Sequence, residues 1–166
     1  NDIVKKSNTE KYVIILDNYA RGGLEKHSDI LSNDLNCDIK VINKSVKNHE
    51  QILNTDYDQY DVIILQNTFT KITDKKHNQK YVYIVHSRCD CWSNYNKSII
   101  IQNRQFIDVY IFVSQTVKDK FEKLLFKVTN GHIIENQVKP IKNNKTEIKG
   151  LFVSCGAYNK LKNHHI

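Results

Sequence analysis

The strongest constraint on the fold is a set of short runs that are apolar at every position and rich in β-branched residues. They are Tyr12–Leu16, Asp61–Leu65 after its leading acid, Tyr81–Val85, and Asp108–Val113 after its leading acid. A strand with one wet face alternates polar and apolar residues, whereas an unbroken apolar run of this length is buried on both faces, as in a parallel sheet. Helical spacing separates the runs. Leu24, His27, Ile30, Leu31 and Leu35 share one face of a helix that Asn36 stops, and Ile39–Ile42 is a short strand. Asn94–Gln105 reads as a second helix. Ser114 caps a third, whose apolar stripe is Val117, Phe121, Leu124 and Leu125. Gly131 punctuates, and Ile133-Ile134 is a brief strand. Strands alternating with helices predict an α/β, Rossmann-like parallel sheet flanked by helices, with right-handed crossovers. In such sheets ligands bind beyond the carboxyl ends of the strands.

The 166 residues suit one domain with a sizeable core. Residues 1–149 read as that domain with its linker, since Asn136 to Lys149 is polar and holds the only Pro. Gly150 to Cys155 starts a new strand, so 150–166 reads as the opening of a second α/β domain. Such a strand is expected to dock on an edge of the first domain or to promote association. The sequence has no Met and reads as a segment of a longer protein. No apolar run approaches ~20 residues, so nothing spans a membrane as a helix. Asn1–Lys11 has no apolar signal core. Together with the cysteines, these features lead to an expected cytoplasmic location. A net charge of +7 invites a nucleic-acid partner, but the lysines are scattered among asparagines, as in Asn143-Asn144-Lys145, and form no basic block. The expectation is therefore no nucleic-acid partner, with room for peripheral association at a membrane surface. Cys89 and Cys91 are too close for an ordinary disulfide; with Cys37 and Cys155 they read as reduced thiols. A Cys89–Cys91 metal site with His86 nearby lacks the usual spacing in two pairs, and no metal is expected.

The candidate chemistry lies at strand ends. Gly22-Gly23 opens the first helix, where close backbone approach and the helix dipole can hold a phosphate, although a Gly pair also serves as a plain turn. There is no G-x-G-x-x-G fingerprint and no G-K-[ST] motif. His86 ends a strand and is either a cleft residue or a hydrogen-bonded core histidine. Glu25 is either a site acid or a solvated first-turn acid. Trp92 and Tyr95 read as loop packing, with stacking on a sugar ring also open to them, and Ser114 reads as a cap.

Gly22-Gly23-Leu24-Glu25-Lys26-His27 resembles the GGxE(R/K)H signature of family 4 glycosyltransferases, which have the two-domain GT-B fold. Val85-His86 is similar to that family's strand-end histidine, and Val113 to Lys118 resembles its V-S-x-x-V-x element. Ile133 to Val138 resembles its I-P-N-G-V-D segment. Phe152 to Gly156, with Lys162-Asn163-His164, resembles the F-V-G-R-x(4)-K-N-H start of the donor-binding domain. Ala157 stands where that family's arginine is usual, and Gln137 and Lys139 stand where Gly and Asp are usual. The resemblance implies an N-terminal, acceptor-side domain of a retaining glycosyltransferase. In it Gly22 and Gly23 line the cleft near the donor phosphates, Glu25 is the signature acid of that helix and binds substrate, His86 meets the donor sugar as the catalytic residue, and Lys162 neutralises the diphosphate. No cofactor is implied beyond the nucleotide sugar as substrate, and the acceptor would be a sugar, lipid or protein. The acidic E-x7-E motif of the donor domain would lie beyond Ile166, so the segment alone is expected to be inactive. The alternative is a sugar- or nucleotide-binding module without catalysis.

Overall fold

A computed structural model describes residues 10–17, 23–42 and 57–135. In chain order the elements are β1 (Tyr12–Leu16), α1 (Gly23–Leu35), β2 (Asp38–Val41), β3 (Val62–Gln66) and β4 (Lys80–Val85). There follow a 3-10 turn (Cys89–Cys91), α2 (Asn94–Asn103), β5 (Val109–Phe112), α3 (Gln115–Leu124) and β6 (Gly131–Ile133). The chain divides into two units, Asn1–Asn136 and Gln137–Ile166. All described residues belong to the first. The expected linker, the strand expected at 150–155 and Lys162 lie outside them.

The six strands form one sheet in the order β2-β1-β3-β4-β5-β6, and every neighbouring pair is parallel. The fold is thus a Rossmann-like α/β sheet. The chain leaves β1 for β2 on one side and returns to β3 on the other, so the strand order reverses between β1 and β3. In an open α/β sheet the usual place for a ligand is at the carboxyl ends of the strands where the order reverses. The register sets Ile15 beside Leu65 and Gln66 beside Ile84, so β1, β3 and β4 finish together.

The apolar runs are buried as their composition requires: Val13, Ile14, Ile15, Leu16, Ile63 and Leu65 have no exposed surface. The strands alternate between two layers. One face carries Ile14, Leu16, Val62, Ile64 and Ile84 and is packed by Leu24, Leu31 and Leu35 of α1. The other carries Val13, Ile15, Ile63, Leu65, Tyr83 and Val85, covered by Ile100 of α2 and by Val117 and Phe121 of α3. Phe121 is the hub of an aromatic cluster, with ring centroids 5.3 Å from Phe112, 5.7 Å from Tyr110 and 5.2 Å from Phe126. Burying a side chain of this kind stabilises the fold by about 1.5–3 kcal/mol. α1 leaves part of its face open. An apolar groove of about 240 Å3 runs there between Leu31, Ile64, Ile84, Ile111, Val113 and Ile134, and it reaches His27.

Two details of the helical spacing are corrected. Ile30, which spacing places on the apolar face of α1, is 57% exposed, while Glu25 and Ser28 are buried. Leu31 and Leu35 still face the sheet, so the buried stripe is rotated toward the Glu25–Ser28–Leu31–Leu35 line. Leu124 is likewise 44% exposed, because α3 ends there and the chain turns at Leu125. Asn36 stops α1 as expected, in a left-handed conformation at φ 48° that Asn tolerates.

Candidate functional site

The carboxyl ends of β3 and β4 and the first turns of α1 bring three polar side chains together. His86 follows β4, Gln66 is the last residue of β3, and His27 lies in the second turn of α1. Gln66 Oε1 lies 2.8 Å from His86 Nε2 and 3.2 Å from His27 Nδ1. The two imidazoles meet edge to face, with centroids 4.7 Å apart. Gln66 is 1% exposed, and its Nε2 is buried with no partner among the described residues. A polar side chain at this depth normally has its hydrogen bonds filled. Burial, and secondarily the His27 ring beside it, pushes the His86 imidazole down to about 4. His86 is therefore neutral at physiological pH and carries one N–H and one lone pair.

The loop after β3 fixes this cluster from behind. Asn67 adopts φ 47°, a left-handed turn, and its amide spans two elements. Its Oδ1 accepts from the His86 backbone N–H at 3.0 Å, and its Nδ2 donates to Ser87 Oγ at 2.9 Å. Ser87 Oγ also accepts from Trp92 Nε1 at 2.9 Å. The Thr68 hydroxyl donates to the Ile15 carbonyl at 2.8 Å, tying the loop to β1. The Asp17 carboxylate, just past β1, accepts from the Phe69 N–H at 3.3 Å. His86 and Gln66 thus project from a braced surface, which is what a site needs for fixed geometry.

The other residues singled out from the sequence distribute unevenly. Gly23 is exposed at the start of α1, and a Cβ there would meet nothing within 4 Å. No packing contact requires glycine at this position. Glu25 is 6% exposed, so it is not a solvated first-turn acid; its place in the first turn suits the helix dipole. Gly22 and Lys162 lie outside the described residues. Ser114 is a cap: its Oγ accepts from the Val117 N–H at 3.3 Å. Trp92 is 7% exposed and packs edge-on against Phe69 at 4.9 Å, which is the packing use; Tyr95 is 55% exposed. Among the described residues no group of three or more His, Cys, Asp or Glu side chains is placed to hold a metal ion. The Cys89 and Cys91 thiols instead donate to the Lys120 and Arg88 carbonyls. No helix among the described residues is long and apolar enough to cross a membrane.

Sequence reasoning singles out His86 but not its partners. By spacing, His27 belongs to the apolar face of α1, and Gln66 falls just past an apolar run. The available signal is a polar residue closing a run that must be buried, since such a side chain demands partners. No protein-family model matches the chain, and a search of curated proteins finds no match.

Proposed function

We propose that this domain is the acceptor-side half of a retaining, GT-B-type glycosyltransferase, and that it meets a nucleotide sugar at the carboxyl ends of β1, β3 and β4. The observation that carries the reading is the coincidence of two independent lines. The motifs that resemble family 4 glycosyltransferases, at Gly22–His27 and Val85-His86, fall on the α1 start and the β4 end. Those are the elements that converge on the His27–Gln66–His86 cluster at the switch point. Transfer of a glycosyl group expels a diphosphate, and fixed N–H donors beside it stabilise the growing charge. A neutral His86 can hydrogen-bond the donor without competing for its charge. The resemblance assigns Gly23 and Glu25 of the first helix, and Lys162, to substrate binding. The reading is metal-independent and cytoplasmic, where nucleotide sugars are the substrate and a sugar, lipid or protein hydroxyl the acceptor.

Isothermal titration of the chain with nucleoside diphosphates, their sugar conjugates and free monosaccharides tests this reading. Binding of a nucleotide sugar that His86→Ala weakens at least tenfold is expected. Binding of the free sugar alone, with no gain from the nucleotide, would favour a sugar-binding module without transfer. Salt-steep binding of an oligonucleotide in place of both would refute the reading.

A further inference from the structure

Gln66 poses a hydrogen-bonding problem whose solution bears on ligand chemistry. One end of its side-chain amide lies 2.8 Å from His86 Nε2 and 3.2 Å from His27 Nδ1. The other end is buried and has no partner among the described residues. With Oε1 against the rings, the NH2 group is left with two unused donors, and an orphaned buried donor is costly. The two ends of an amide have nearly the same shape and differ only in what they can bond. Turned over, the amide sets its NH2 where both ring nitrogens can accept, one N–H to each. Only a carbonyl oxygen is then left over, and under-satisfied carbonyls are tolerated more often than orphaned N–H groups.

We propose that Gln66 faces both imidazoles through its NH2, so that His27 Nε2 and His86 Nδ1 carry the ring protons and serve as paired donors to the oxygens of a diphosphate ligand. A neutral imidazole has one lone pair and one N–H. Committing the lone pair to Gln66 places the N–H on the far nitrogen, and neither histidine is fully buried. Two donors on neighbouring rings match an anion that only accepts. A sugar hydroxyl would instead be served by a donor beside a lone pair. α1 begins four residues before His27, and the dipole at its N-terminus favours the same charge. Gln66 is then a positioning residue: it sets which nitrogen of each ring is protonated and does not itself touch the ligand. The inference rests on the nucleotide-sugar reading for the source of the diphosphate, though not for the ring geometry.

Long-range 1H–15N spectra of the ring nitrogens of the whole chain test it, taken at about pH 8.5, where unperturbed imidazoles are neutral. The expected spectrum has His86 protonated on Nδ1 and His27 on Nε2, and inorganic pyrophosphate shifts those two nitrogens. The opposite tautomers would overturn the proposal, as would rings that respond to methyl glucoside and not to pyrophosphate. In Gln66→Leu the rings relax toward the mixed tautomers of free imidazole while the backbone spectrum is kept; should that variant not fold, the wild-type spectrum alone decides. A uridine diphosphate arm separates a nucleotide source from free pyrophosphate. Rings that respond to pyrophosphate in a chain that binds no nucleotide sugar would retire the transferase reading and leave this one standing; nucleotide-sugar binding with the opposite tautomers would do the reverse.

Discussion

At the scale of single residues, the candidate site is a cluster of groups whose surroundings set their charge and hydrogen bonding. His86 shows this in its pH dependence. Its imidazole titrates near 6.5 unfolded and is pushed down to about 4 when folded, chiefly by burial. Between these values the unfolded chain takes up a proton that the folded chain refuses, so stability is full above the unfolded value and falls as the pH drops toward 4. The loss is at most about 3 kcal/mol, since each tenfold change in proton affinity is worth about 1.4 kcal/mol. Denaturant unfolding followed from neutral to acid pH should show this slope, and His86→Gln should flatten it. Asn67 makes a second case. Asn67→Gly keeps the left-handed φ but deletes the bonds to the His86 N–H and Ser87 Oγ. Loss of about 1–2 kcal/mol by chemical denaturation is expected, from two side-chain hydrogen bonds at ~1 kcal/mol each less the relief of φ. Unchanged stability would mean the amide does not brace the site. His86 is legible in the sequence because a histidine ending an apolar run stands out. Gln66 and His27 are not, because they are 39 positions apart and only the packing of α1 against the sheet brings them together.

At the scale of elements, most of the local structure follows from patterns the sequence states outright. Ser114 reads as a cap and caps α3, and Asn36 reads as a stop and ends α1. Ser114→Ala should cost about 1 kcal/mol, the usual value of an N-cap hydroxyl, measured by denaturant unfolding. Phe121→Ala, by contrast, removes a fully buried ring from the centre of the aromatic layer and should cost about 3–5 kcal/mol in the same experiment. The rotation of α1 is not legible. Ile30 and Leu31 both fit an apolar stripe by spacing, and choosing between them requires knowing that Glu25 and Ser28 face inward. The Ser28 hydroxyl makes its own burial tolerable by donating to the Leu24 carbonyl at 2.8 Å.

At the scale of the whole molecule, the unbroken apolar runs are enough to predict a parallel α/β sheet, because only cover on both faces makes such strands soluble. The strand order is not legible, since it depends on which side of β1 the chain takes after β2. That choice creates the switch point and so places the site. The all-round burial of the core has an alkaline consequence. Tyr81 is pushed up to about 12, and Tyr83 and Tyr110 are raised as well, each chiefly by burial. Unfolded tyrosines ionise near 10, so stability held below that value is lost as the pH rises above it.

The central claim is that the His27–Gln66–His86 end of the sheet receives a nucleotide sugar. Mapping backbone amide shifts as a nucleotide sugar is added to the labelled chain tests it most directly. The account predicts shifts concentrated at Gly23 to His27, Gln66, Asn67, His86 and Ser87, with little change at Lys11 or Lys80, where β1 and β4 begin. Shifts confined to the amino ends of the strands, or none for any nucleotide sugar, would contradict it.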